Sequence, residues 1–283
     1  MNIISTFAPS AHHIQRAGLG YSRPLDDAEL VRMAPAIFAP SAHESRSERY
    51  AYIPTLDLVQ GMRAEGFLPV KVTQANVRTE DKKGFGKHLI RFRRQDQLSS
   101  EEAREVVLLN SHDGSSGFKL MAGIFRLVCS NGLVVGNFDQ EVRVRHSGDA
   151  LDKVIEGAYS VVKEFDQVSE RIEGMKAISL NPDYQQAFAK AALALRFDDP
   201  ENSGIQAAQL LRVRRTEDKP ADLWTTFNRV QENVIKGGLH GRKLDENGRT
   251  RRTSTREVKG IDQNVQLNRS LWILAEEMRK LAA

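Results

Sequence analysis

Two stretches of this chain set basic side chains at every second residue: His88-Leu89-Ile90-Arg91-Phe92-Arg93 and Glu141-Val142-Arg143-Val144-Arg145. Successive side chains of a strand point to opposite sides. Ile90 and Phe92 would then face one way and Arg91 and Arg93 the other, as Val142 and Val144 would oppose Arg143 and Arg145. Guanidinium groups repeated along one face of a sheet suit a polyanion, because each phosphate they neutralise releases counterions. With Lys71 and Arg126 on further strands, the expected surface is a basic sheet face of Lys71, Arg91, Arg93, Arg126, Arg143 and Arg145 that tracks a phosphate backbone. A solvated outer face of an amphipathic antiparallel sheet is the plainer alternative.

Two further basic segments would extend that path. The turn Lys82-Lys83-Gly84-Phe85-Gly86-Lys87 joins cations to an aromatic ring that either stacks on a base or packs at a hairpin tip. The arm from Arg242 to Arg256, with Arg249, Arg251, Arg252 and Arg256, has almost no apolar residue and reads as a mobile basic loop that orders on a polyanion. The net charge is only +4, so the basicity is local. Arg78 to Arg94 holds seven Lys/Arg against two acids, and Lys236 to Lys259 holds eight against three.

Other chemistry finds little footing. His12, His13, His43, His88, His112, His146 and His240 form no His-Glu-x-x-His or Cys/His spacing, so no metal and no cofactor is expected. Gly84-x-Gly86 lacks the third glycine of a dinucleotide fingerprint, and there is no phosphate loop or nucleophile elbow. Cys129, the single cysteine, lies beside Leu127 and Val128 and reads as a buried structural thiol. Asp139, Glu141 and the acid-x-Lys spacing of Glu257-Val258-Lys259 are the only hints of a metal-dependent nuclease, and no third acid accompanies them.

The elements that must position these residues follow from period and punctuation. Asp26-Asp27 starts a helix through Phe38 that Pro35 kinks or ends. Tyr50 to Ile53 reads as a short strand, and Thr55 as the cap of a helix ending at Gly66. Strands follow at Phe67–Val77, Lys87–Arg94, Glu105–Leu109, Gly117–Ala122, Ile124–Cys129, Leu133–Gly136 and Glu141–His146, with Asn131-Gly132 as the strongest hairpin signal. From Asp149 to about Glu173 apolar residues recur at helical, near-heptad spacing, which suits packing on a sheet or an oligomer contact. Helices follow at Asn181–Arg196, Ala221–Lys236 and Gln263–Leu281.

The fold class is α+β: a mostly antiparallel sheet with one basic face, packed by a long helix and followed by a helical C-terminal part. Residues 1–49 read as an irregular and helical N-terminal segment, 50–200 as the core domain, and 201–283 as a helical region carrying the mobile loop at 237–259. With 40% hydrophobic and 28% charged residues the chain can bury a core unaided. No apolar run approaches the ~20 residues of a membrane span, and Met1 to Gly20 lacks the pattern of a secretion signal. A cytoplasmic, soluble protein is expected.

Four separated motifs carry a family resemblance: Arg126-Leu-Val-Cys-Ser-Asn-Gly-Leu133; Arg145-His-Ser-Gly148; Trp224-x-x-Phe-Asn-x-Val-Gln-Glu-Asn233; and Arg256-Glu-Val-Lys-Gly-Ile-Asp262 followed by Leu267-Asn-Arg-x-Leu-Trp272. From roughly residue 20 onward the chain resembles the domain of unknown function 932, the phage/plasmid-like or UPF0380 family. The resemblance implies carriage by plasmids, prophages and integrated elements, and no established activity or catalytic residue set. The layout of helix, strands and long helix is similar to that of single-strand annealing recombinases, which hold DNA in a basic groove across a sheet and form rings or filaments. The leading expectation is therefore a non-enzymatic protein that binds and anneals single-stranded DNA and assembles into a homo-oligomer. A protein-binding antagonist of a host defence or SOS factor is the second reading, and a metal-dependent nuclease the third.

Overall fold

Asp26 opens the first helix by reciprocal capping. Its carboxylate accepts from the Glu29 backbone N–H at 2.8 Å while the Glu29 carboxylate accepts from its own N–H at 3.2 Å. That helix, α1 (Asp27–Met33), ends before Pro35, which restarts the chain as one 3₁₀ turn over Pro35–Phe38. The computed structural model describes residues 23–47, 50, 52–126, 131–135, 142–143, 150–245 and 247–282.

The chain continues through α2 (Thr55–Ala64) into a meander of β1 (Phe67–Gln74), β2 (His88–Arg94), β3 (Glu102–Asn110), β4 (Lys119–Arg126) and β5 (Asn131–Val134). All pairs are antiparallel and the strands lie in sequence order, with the short β6 (Val142–Arg143) pairing β4 at Lys119 and Leu120. Next come α3 (Ala150–Ala177), α4 (Pro182–Arg196), the single turn α5 (Ala207–Leu210) and α6 (Leu223–Lys236). A separate two-stranded ribbon, β7 (His240–Leu244) and β8 (Thr250–Ser254), precedes the last helix, α7 (Ile261–Ala282). This is the α+β arrangement that the periodicity predicts, with a long helix on the sheet and a helical C-terminal part.

Strand alternation assigns each face. Ile90, Phe92, Val106, Leu108, Leu120, Ala122 and Ile124 point into the main core, where the 3–4 spaced stripe Val154, Ala158, Val161, Phe165, Val168, Ile172 and Met175 of α3 meets them. The near-heptad stripe is thus spent on intramolecular packing. Trp224, Phe227 and Trp272 stack where α6 meets α7, with ring centroids 5.4 to 6.5 Å apart. Burying each such ring contributes about 2–3 kcal/mol. The core runs unbroken from Leu25 to Met278 and draws on all three segments that composition distinguishes.

Local departures have physical reasons. Tyr50, Tyr52 and Ile53 form no strand. Thr55 does not cap α2; its hydroxyl is used inside the protein. Gly117–Ala122 and Ile124–Cys129 are one strand within the described residues, because Gly123 sits in the ladder opposite Glu105. Asn131-Gly132 is not a turn: Arg126 pairs with Asn131, and Gly132 lies within β5. Within the segment 237–259, His240–Leu244 and Thr250–Ser254 pair as a ribbon.

Candidate nucleic-acid interface

The expectation of a solvent-facing arginine surface fails at Arg91, Arg93 and Arg126. Arg91 and Arg93 are 5% and 1% exposed, and Glu105 between them is 0% exposed. Arg91 Nη1 donates to Glu105 Oε2 at 2.7 Å and Arg93 Nε to Oε1 at 2.8 Å. The second sheet face is closed because Leu89, Val107, Leu109, Met121 and Val134 form their own apolar cluster under Ile261 of α7. Under such a cover a guanidinium must find a carboxylate. Arg93 also lies 4.1 Å from the centre of the Phe125 ring. Glu105 is the acid that sequence inspection passes over. Its signal is a carboxylate at the start of the alternation Glu105, Val107, Leu109 on one face of β3.

Arg126 is equally committed. It donates to Asp218 at 2.6 Å, and Asp218 also receives Arg215 at 2.8 Å. Arg215 then grips both oxygens of Glu232, at 2.9 and 2.7 Å, and Lys236 reaches the same carboxylate at 2.8 Å. Burial pushes the Glu232 carboxyl up, but Arg215 and Lys236 outweigh it and hold the group below the usual carboxylate range. An ion-pair chain therefore runs from the sheet to the C-terminal end of α6. Arg143 belongs to β6, and its side chain, like all of Arg145, lies outside the described residues.

Lys71 stands elsewhere, on the wall of a cleft of about 760 Å³ between β1–β2 and the chain entering α7. Thr73, Leu89 and Arg91 line the sheet side; Ile235, Lys236 and the run Glu257–Ile261 line the other. Gly132 and Gln231 also line it, so three of the four motifs that carry the resemblance meet here. Glu257 and Lys259 are both in the lining, but Asp139 and Glu141 lie outside the described residues. Among the described residues, no three His, Cys, Asp or Glu side chains converge to hold a metal ion.

The basic arm is the exposed element. In the β7–β8 ribbon Arg242 stands opposite Arg252 and Lys243 opposite Arg251, and all four are exposed. Arg251 donates to Asp245 at 2.7 Å, whose carboxyl is held low by the Arg249 backbone N–H that it accepts. Arg249 and Arg256 are exposed as well. The ribbon is anchored at its root. A Cβ on Gly241 would fall 1.7 Å from the Gly204 carbonyl oxygen, Gln209 donates to the His240 carbonyl at 2.8 Å, and the Val258 N–H bonds to Ile235 at 2.8 Å.

Lys82 and Lys83 fall in a 3₁₀ turn over Glu80–Phe85, where Lys83 pairs with Glu80. Phe85 packs edge-on against His43 with centroids 5.1 Å apart, so its ring serves the fold. A closed polar centre lies nearby. Thr55 Oγ1 sits 3.0 Å from each of His88 Nε2, His112 Nε2 and Asn110 Nδ2, and all four residues are fully buried. His88 Nδ1 must donate to the Gly86 carbonyl at 3.0 Å, so its Nε2 accepts the Thr55 hydroxyl. Burial then pushes the His88 pKa down to about 4.

No helix among the described residues is long and apolar enough to cross a membrane. The family described as Domain of unknown function (DUF932) matches residues 42–272. The chain is 47% identical over 256 residues to the UPF0380 protein YafZ of Escherichia coli (strain K12), covering 90% of this chain and 92% of that one. It matches the UPF0380 protein YfjQ of the same strain with the same identity and coverage. No solved structure matches. With most of its length inside that match, and with relatives of nearly equal extent, the chain belongs to the DUF932 family.

Proposed function

We propose that this protein binds nucleic acid without transforming it, and that the β7–β8 ribbon is its contact element. One observation carries the reading: cations face cations across the ribbon, Arg242 against Arg252 and Lys243 against Arg251. Like charges directly opposite destabilise a strand pair. Asp245 pairs with Arg251 and tempers the Lys243–Arg251 repulsion, but Arg242 and Arg252 make no ion pair with any described residue, so nothing within those residues offsets the repulsion between these two. A polyphosphate backbone laid along the ribbon would offset it.

The ribbon strands bear no Phe, Tyr or Trp, and their one ring is the imidazole of His240 at the root, which favours phosphate contacts over base stacking. Its width also suits the major groove, which admits a two-stranded ribbon. Annealing of single strands along the sheet face loses Arg91, Arg93 and Arg126 from its support, since all three are buried in ion pairs.

The test is an electrophoretic shift with single-stranded and duplex DNA at two salt concentrations. Binding should weaken steeply with salt, with a log–log slope of about −0.9 per phosphate neutralised on duplex. Reversing Arg242 and Arg252 together to Glu should cost more than tenfold in affinity. No shift at low salt, or an unchanged one in that variant, overturns the reading.

A further inference from the structure

The ribbon grows out of the rim of the cleft. Ile235 and Lys236, just before its root, line the cleft, and so do Glu257 to Ile261, just after it. A strand held along the ribbon therefore has a cavity at its foot, and the lining of that cavity is of three kinds. Leu89, Val258 and Ile261 give it an apolar floor. Thr73 and Asn76 offer a hydroxyl and an amide at the exposed edge. Lys71 on β1 and Lys259 ahead of α7 stand on opposite walls, Glu257 is the one acid of the lining, and Lys236 and Arg91 beyond them are already paired with Glu232 and Glu105.

A purely apolar ligand has no use for cations on both walls, and a simple anion has no use for the floor. A nucleotide uses both: a flat ring for the apolar side and a phosphate for the lysines. About 760 Å³ lies within the range of pockets that enclose ligands of that size.

We propose that this cleft takes one unpaired nucleotide, its phosphate between Lys71 and Lys259 and its base against Leu89 and Ile261. As a part of nucleic-acid recognition the inference rests on the ribbon reading; as a binding site it is tested apart from it. The ribbon would hold the backbone, and the cleft would report that a nucleotide has no pairing partner. This places the preference for unpaired DNA in a cavity rather than on the sheet face.

The experiment uses 2-aminopurine in two forms. The first is a short duplex, blunt or ending in one unpaired 2-aminopurine nucleotide. The second is the free 2-aminopurine deoxynucleoside 5′-monophosphate. The full chain should bind the overhanging duplex about tenfold more tightly than the blunt one and change the fluorescence of the unpaired base. Thr73→Trp fills the cleft from an exposed position on an edge strand. It should abolish the preference and the fluorescence change while leaving blunt-duplex affinity unchanged. Lys259→Glu should also reduce the preference, which covers the case in which the tryptophan variant misfolds.

If no DNA binds at all the ribbon reading fails, but saturable binding of the free nucleotide by the wild type and not by Thr73→Trp still supports the cleft. Equal preference in wild type and Thr73→Trp, or no nucleotide response in either form, overturns it.

Discussion

Arg91 on β2 reaches over β3 and β4 to donate to the carbonyl of Gly132 on β5 at 3.1 Å. In a flat sheet those strands would stand roughly 14 Å apart, so the contact records how far the sheet curls. Gly123 and Gly132 clear the path: a Cβ on Gly132 would lie 2.5 Å from Arg91 Cζ, and one on Gly123 would lie 3.2 Å from Arg91 Nη1. Gly132→Ala should therefore displace the guanidinium and destabilise the fold by about 2 kcal/mol, measured as a lower urea midpoint. Gly84→Ala is the control, since nothing lies within 4 Å of a Cβ there. Equal midpoints for the two variants would show that the arginine yields without cost.

Glu105, itself fully buried, holds two guanidiniums that are nearly so. Glu105→Gln keeps the shape and removes the charge, leaving Arg91 and Arg93 without the carboxylate that balances them. Loss of one partner from a buried ion pair costs about 3–5 kcal/mol, so this variant should be strongly destabilised or insoluble. A variant within about 1 kcal/mol of the wild type would mean that water or another acid reaches the pair, and that the second sheet face is more open than its packing indicates.

How much of this was legible in the chain varied with the range of the interaction. The helices declared themselves by period, because Val154 to Met175 repeat on one face whatever they pack against. Strand alternation located Arg91 and Arg93 on one side of the sheet, but alternation cannot say what covers that side. The cover comes from Ile261, about 170 residues away in sequence. Asn131-Gly132 misled for a related reason: its glycine answers to the distant Arg91 rather than to a turn. The basic arm was legible in composition and charge. Its pairing was not, because Arg242 and Arg252 in register violate the usual cross-strand preference.

The buried histidine gives the fold an acid limit. His88 stays neutral in the folded protein, with its pKa pushed down to about 4 by burial against an ordinary value of 6.5. Between these values the unfolded chain takes up a proton that the folded chain refuses. Stability is thus complete above pH 6.5 and falls as the pH drops toward 4, by up to roughly 3 kcal/mol. Urea midpoints at pH 7.5, 5.5 and 4.5 should decline in the wild type and decline less in His88→Asn. Parallel curves for the two proteins would assign the acid sensitivity to other groups.

The ribbon allows stability and binding to be driven in opposite directions. Arg242→Glu converts the Arg242–Arg252 repulsion into an attraction, which should stabilise the strand pair by about 0.2–1 kcal/mol. A nucleic acid would meet one positive charge fewer and one negative charge more at that position, so affinity should fall and the salt slope should flatten by about one phosphate equivalent. Amide exchange along β7–β8 measures the first effect and a salt titration of DNA binding the second. Slower exchange with weaker, less salt-dependent binding would identify the paired cations as a surface kept for a polyanion at the expense of the fold. Slower exchange with unchanged binding would leave the ribbon as a solvated hairpin and move the interface elsewhere.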